Sequence, residues 1–177
     1  MNSMKLAGLE GGTRDGAHHH RLLYALPALA CAGLLGFGYY LQYFEGQDPC
    51  PLCLVQRGFY YGVIVVFVIA ALHGAKKIGH AAYCAVAAVL ALGGVGVAAR
   101  QVWLQHLPAD QVPACGPDLF FMMDNFRLGR ILEKVFMGSG QCAEVNWRFL
   151  GLSIAEWSLA CFAALALYAA WLALRRR

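Results

Sequence analysis

Cys50 and Cys53 lie three positions apart in Cys50-Pro51-Leu52-Cys53, just ahead of a long apolar run, and Arg57 follows four residues after the second thiol. A Cys-X-X-Cys pair is a redox or metal motif. Proline suits the first position of a helix, because the N–H it lacks has no intrahelical partner there. If Pro51 opens a helix, Cys50 caps it and Cys53 sits in the first turn. Free backbone N–H groups and the helix dipole then favour a thiolate at Cys53. Arg57, four residues on, shares its helical face and adds a second positive charge. A thiolate held this way is a good leaving group and an electron donor. Alone, an arginine one turn inside a helix end can instead snorkel to headgroups.

A second pair, Cys115 and Cys142, is separated by residues 116–141. That is not a metal-finger spacing, since a zinc site wants two close pairs whose thiolates converge. On spacing alone the pair reads as a disulfide staple of a long loop. Its presence beside a Cys-X-X-Cys pair points instead to a relay by thiol–disulfide exchange. Four cysteines allow three pairings, which the spacing leaves open. Cys31, Cys84 and Cys161 lie inside apolar runs and read as small hydrophobes.

The elements that carry these residues follow from composition. The chain has 177 residues, 60% hydrophobic and 14% charged, against about 45–50% and about 25% in soluble domains. It is an integral membrane protein of one domain. The apolar runs cover about 22–44, 52–72, 81–104 and 152–174, each long enough for a hydrocarbon core of about 30 Å. Ala28-Leu29-Ala30-Cys31 faintly resembles a lipoprotein cleavage box, but the run continues well past it, so the first segment reads as a retained helix. Gly93, Gly94 and Gly96 allow close helix approach in lipid. Residues 1–21 are polar and Gly-rich and read as a disordered tail, its His18–His20 run solvated. Residues 175–177 form a basic end. In the long loop, Ile131 to Phe136 has helix spacing and could lie on the membrane surface as a short amphipathic helix or simply pack over the bundle's outer face.

Four spans put both termini on one side. Lys5, Arg14, Arg21, Lys76, Lys77 and Arg175–Arg177 all fall there, which marks it as cytoplasmic. The expected fold is therefore an all-α, four-helix membrane bundle with cytoplasmic termini. Loops of about 45–51 and 105–151 lie outside, where disulfides persist. Basic residues cluster at segment ends rather than in a stripe, which argues against nucleic-acid binding. Arg100 is at a depth similar to Arg57, so the two are expected to flank one outer-leaflet pocket. Gln101, Gln105 and His106 lie near that level, and His106 could meet a ligand carbonyl or serve as a polar anchor.

These residues resemble the DsbB family, the disulfide bond formation proteins of bacterial inner membranes. The resemblance rests on four spans and Cys50-Pro51-Leu52-Cys53 with Arg57. It also rests on Ser139-Gly140-Gln141-Cys142-Ala143-Glu144 running on to Trp147 and Phe149-Leu150-Gly151-Leu152. It implies a multi-pass protein of the Gram-negative inner membrane with a periplasmic site. Such proteins reoxidise a DsbA-like thiol oxidase and pass the electrons to a membrane quinone, ubiquinone or menaquinone. The resemblance further implies resting disulfides Cys50–Cys53 and Cys115–Cys142 and a transient Cys50–Cys142 bond. The partner would form a mixed disulfide at Cys115, and Cys53 would face the quinone beside Arg57. His106 and Arg100 are weaker quinone contacts on this view, and no metal is implied. DsbA is a strong oxidant, at about −120 mV, so its reoxidation needs a strong electron sink such as a quinone pool. Other readings are an outward reductase, a vitamin K epoxide reductase-like protein, a metal-capture site, or a disulfide-stapled four-helix scaffold without redox turnover.

Overall fold

The computed structural model describes residues 3–74, 77–108, 110–112, 140–145 and 147–175, with side chains from residue 21 onward except at 77 and 78. Cys115, the Ile131–Phe136 segment, Lys76, Arg176 and Arg177, and the His18–His20 side chains lie outside that description. Among the described residues, four helices are long and apolar enough to cross a membrane: residues 21–44 of α1 (Ser3–Phe44), α2 (Pro51–His73), residues 79–105 of α3 (Lys77–Gln105), and α5 (Ile154–Arg175). A single helical turn, α4 (Gly140–Ala143), and a hairpin of β1 (Arg148–Phe149) and β2 (Leu152–Ser153) lie between α3 and α5. Where composition suggests a disordered tail, the backbone continues as helix from Ser3. Extending an existing helix costs far less than nucleating one.

The helices start where local chemistry requires. Pro51 is the first residue of α2, and Cys50 caps it with an extended backbone, its Sγ accepting from the Cys53 N–H at 3.3 Å. Gly74 ends α2 in the left-handed region at φ 58, a conformation a side chain disfavours. The last span opens on a reciprocal cap. The Glu156 carboxylate accepts from the Ser153 N–H at 2.6 Å, and the Glu156 N–H donates to Ser153 Oγ at 3.3 Å. The span therefore begins at Ile154 rather than Leu152. Leu152 and Ser153 pair with Phe149 and Arg148 across a two-residue turn in which Leu150 and Gly151 both have positive φ. The hairpin departs from an entirely helical reading, although the bundle is helical as expected.

α1 packs on α2, α2 on α3, and α3 on α5. Gly94 makes the α3–α5 contact possible: a Cβ there would lie 2.5 Å from the Phe162 ring. Gly93 does the same for Phe59, whereas Gly96 has nothing within 4 Å and serves no contact. Phe162 is fully buried and stacks on Tyr60, with ring centroids 4.1 Å apart. Cys31 and Cys84 are buried in this core as expected of small hydrophobes. At the end of the bundle that holds Tyr24 and Leu172, α1, α3 and α5 are tied together. His80 is bonded to the Tyr24 hydroxyl through Nδ1 and donates from Nε2 to the Leu172 carbonyl at 2.9 Å. The Tyr168 hydroxyl donates to the Leu23 carbonyl at 2.8 Å. At the opposite end α1 and α5 leave a cavity between them, and the reactive cysteines are there.

Candidate functional site

The cap of α2 and the α4 turn bring three thiols together. Cys50 Sγ and Cys53 Sγ are 2.8 Å apart. Cys142, fully buried on α4, is also hydrogen-bonded to Cys50. Cys50 is thus the middle sulfur of three. Its thiol is pushed well above the usual range, first by its hydrogen bonds to Cys142 and to Cys53 and then by burial. It holds its proton and can share it with either neighbour. Leu52, Val97 and Leu104 pack around the group in a small apolar cluster of its own.

A cavity of about 620 Å³ opens beside Cys50 and Cys53, within the usual range of about 300–1,000 Å³ for small-molecule sites. Leu34, Leu35 and Leu41 of α1 and Ile154 of α5 give it apolar walls. An aromatic chain closes one side. Phe37 meets Trp147 edge-on at 5.6 Å, Trp147 stacks on Phe149 at 6.0 Å, and Trp157 donates from its indole N–H to the Phe149 carbonyl at 3.1 Å. The β1–β2 hairpin places Phe149 there, and its Leu150-Gly151 turn, both residues at positive φ, leads the chain back into α5.

Arg57 lines the same cavity, but it turns toward α1. It donates to Gln42 Oε1 at 2.6 Å and to the Gly38 carbonyl at 3.2 Å, and its guanidinium lies 4.5 Å over the Tyr39 ring. A guanidinium in apolar surroundings must find acceptors, and α1 supplies them. The groups bonded to Cys53 Sγ are Cys50 and Gln101. Shared helical face therefore puts Arg57 on the cavity wall without making it the hydrogen-bond partner of the thiol. Arg100 and His106 do not line the cavity. The Arg100 guanidinium lies 4.2 Å over the Trp103 ring, and His106 Nδ1 donates to the Val102 carbonyl within its own turn at 2.9 Å. The expectation that Arg57 and Arg100 flank one pocket does not match this geometry. One residue turns a helix by about 100°, so Arg100 lies over Trp103 while Gln101, one residue on, faces the sulfurs.

Gln101 and Gln56 are the site residues that spacing did not single out for chemistry. Both are 4% exposed within spans. Gln101 Nε2 donates to Cys53 Sγ at 3.2 Å and to Cys50 Sγ at 3.4 Å, and Gln56 Nε2 donates to Gln101 Oε1 at 2.6 Å. Two glutamines inside otherwise apolar runs were the available signal, because an uncharged amide is still costly in hydrocarbon unless it is paired. Gln105, a turn further along α3, accepts from Ser153 Oγ at 2.7 Å and ties the start of α5 to the site. Among the described residues no group of three or more His, Cys, Asp or Glu side chains is arranged to hold a metal ion.

Residues 20–172 match the family described as Disulfide bond formation protein DsbB. The chain is 50% identical over 143 residues to the Disulfide bond formation protein B of Hahella chejuensis, covering 81% of this chain and 87% of the relative. It is 48% identical over 151 residues to that of Nitrosococcus oceani, covering 85% and 89%. It is also 48% identical over 157 residues to that of Aromatoleum aromaticum, covering 89% and 94%.

Proposed function

The chain belongs to the DsbB family and is a disulfide-forming membrane oxidoreductase, and on that premise we propose that it oxidises a DsbA-like thiol oxidase and delivers the electrons to a membrane quinone. One observation carries this reading: Cys50 is hydrogen-bonded to both Cys142 and Cys53, and a ligand-sized apolar cavity is lined by Cys50 and Cys53. Three sulfurs in mutual reach beside a cavity are what an exchange relay needs.

The steps balance as follows. The partner's thiolate attacks the Cys115–Cys142 disulfide at Cys115; a mixed disulfide forms and Cys142 leaves as thiolate. The partner's second thiolate closes on that bond and frees Cys115, so the partner departs oxidised. Cys142 Sγ, already against Cys50, attacks Cys50 of the Cys50–Cys53 disulfide. The Cys142–Cys50 bond forms, and the electron pair of the broken bond goes to Cys53 as thiolate. Cys115 thiolate then attacks Cys142, restores the loop disulfide and releases Cys50. A quinone in the cavity supplies a two-electron, two-proton acceptor, and Cys50 and Cys53 close again to a disulfide. The apolar walls and aromatic chain suit a flat apolar ring. The Arg57 guanidinium on the cavity wall is a polar group that can orient it. Cys115 enters from the family resemblance, as does the resting pairing.

The positive-inside pattern of Arg21, Lys76, Lys77 and the C-terminal arginines supports cytoplasmic termini and a periplasmic site in the inner membrane. The test mixes purified protein with a reduced DsbA-like thiol oxidase and a short-chain quinone and follows quinone absorbance. Quinone is consumed in proportion to partner thiols, and Cys53→Ala abolishes it. Consumption by Cys53→Ala at the wild-type rate would refute the relay.

A further inference from the structure

We propose that Gln101 is the hydrogen-bond donor that stabilises the Cys53 thiolate, and that Gln56 is the positioning residue that fixes its amide in the donating orientation. This rests on the exchange chemistry above and adds to it the group that receives the developing charge.

The argument starts from the amide's two ends. A glutamine side chain carries one acceptor oxygen and two N–H donors, and it can point either end at a neighbour. Gln56 removes that freedom. Its Nε2 donates to Gln101 Oε1 at 2.6 Å, so the oxygen is engaged and the NH2 group is turned toward the cysteines. The two N–H bonds then reach Cys53 Sγ at 3.2 Å and Cys50 Sγ at 3.4 Å. Both glutamines are buried, so water does not replace these contacts. Gln101 meets both protonation states of Cys53. A thiol can donate to Oε1, which lies 3.6 Å from Cys53 Sγ, while a thiolate accepts from Nε2 at the shorter distance. The shorter contact belongs to the charged form, and a bond to an ionised acceptor is the stronger one.

The consequence is asymmetric. When Cys142 attacks Cys50, the Cys50–Cys53 bond breaks and its electron pair collects on Cys53. The helix-start N–H of Cys53 is taken by Cys50 Sγ at 3.3 Å, so the side-chain amide at Cys53 is that of Gln101, which is nearer to Cys53 Sγ, at 3.2 Å, than to Cys50 Sγ, at 3.4 Å. Gln101 thus favours the leaving direction without a charge of its own, and a neutral donor is cheaper to hold at this depth than a second cation. Arg57, committed to Gln42 and Gly38 on α1, does not supply that bond.

The test is the pH dependence of Cys53 alkylation in reduced, full-length protein, read by mass spectrometry of the Cys53 peptide after pulses of iodoacetamide. No partner or quinone is present. Gln101→Leu should raise the midpoint by about one pH unit, which slows alkylation about tenfold below the midpoint. Gln101→Glu keeps the size and the Gln56 bond but sets an oxygen against the sulfur, so its midpoint should rise at least as far. Gln56→Leu frees the amide and should give a smaller rise in the same direction. A midpoint in Gln101→Glu that is unchanged or shifted downward overturns the proposal, whether or not Gln101→Leu folds. A downward shift is what simple loosening of the site would produce. Wild-type protein that fails to consume quinone would refute the proposed function and leave this measurement intact.

Discussion

Arg57 lines the cavity yet is anchored to α1, so its substitution separates two roles that sequence spacing merges. Arg57→Ala removes the bond to Gln42 at 2.6 Å, the bond to the Gly38 carbonyl at 3.2 Å, and the guanidinium over Tyr39 at 4.5 Å. Hydrogen bonds to a charged donor are each worth about 1.5–3 kcal/mol, and a partly exposed cation–π contact about 0.5–1 kcal/mol. Some of that is recovered when water reaches Gln42, which is only half-buried. A loss of about 2–4 kcal/mol in α1–α2 packing is the expected scale, visible as earlier thermal unfolding in detergent. If Arg57 also stabilises negative charge developing on the acceptor, quinone turnover should fall by about 100-fold, the cost of losing one such preorganised donor. Arg57→Lys keeps the charge and one anchor but loses the planar fork, so turnover should fall by about tenfold. The assay is initial quinone consumption with reduced thiol oxidase, beside an unfolding curve for each variant. Turnover within threefold of wild type for Arg57→Ala, with the expected loss of stability, would show that Arg57 only fastens α2 to α1.

The remaining predictions concern the sulfurs and the packing behind them. Cys142→Ser should leave Cys50 and Cys53 able to reduce quinone with a small dithiol but abolish electron transfer from the thiol-oxidase partner; equal loss with both donors would contradict the order of the relay. Because the Cys50 thiol is raised above its ordinary value of 9.0, the reduced fold prefers it protonated. Stability should be fully present below about pH 9 and decline as pH rises beyond it, and a reduced protein whose unfolding temperature is flat from pH 8 to 10.5 would refute this. Gly94→Ala forces a Cβ within 2.5 Å of the Phe162 ring, which cannot yield because it is buried against Tyr60. A loss of about 1–3 kcal/mol is expected. Gly96→Ala, with nothing within 4 Å, should be neutral or gain about 0.5–1 kcal/mol; equal unfolding temperatures for the two variants would contradict the packing.

Much of the fold was legible because it is written in local chemistry. The four apolar runs predicted the four spans to within a few residues, since a hydrocarbon core selects on composition alone. Pro51 predicted the start of α2 and made Cys50 its cap, because helix N-termini are set by a few adjacent residues. The start of α5 was harder to see. Leu152 is apolar enough to belong to the span, and only the pairing of β2 with β1 and the Ser153–Glu156 cap moved the boundary to Ile154. Gly93 and Gly94 were read correctly as sites of close approach. Gly96 looked the same in sequence but faces away from Phe162, because two residues turn the helix about 200° past Gly94.

The sequence by itself determined the elements and the chemistry at their ends: four helices, a thiol pair at a helix mouth, a cation four residues behind it, and a second pair in a long loop. Only the tertiary structure decided the partners. It put Cys142 against Cys50, turned Arg57 to α1, left Arg100 over Trp103, and made Gln101 the hydrogen-bonded neighbour of the sulfurs, with Gln56 of another helix bonded to its oxygen. The physical reason is range. A cap, a span or a helical face is fixed by residues within about one turn of each other or by the solvent around them. Which side chain meets a buried sulfur depends on how helices distant in sequence are rotated against each other, and that is fixed by packing, as in the fit of the Phe162 ring over Gly94.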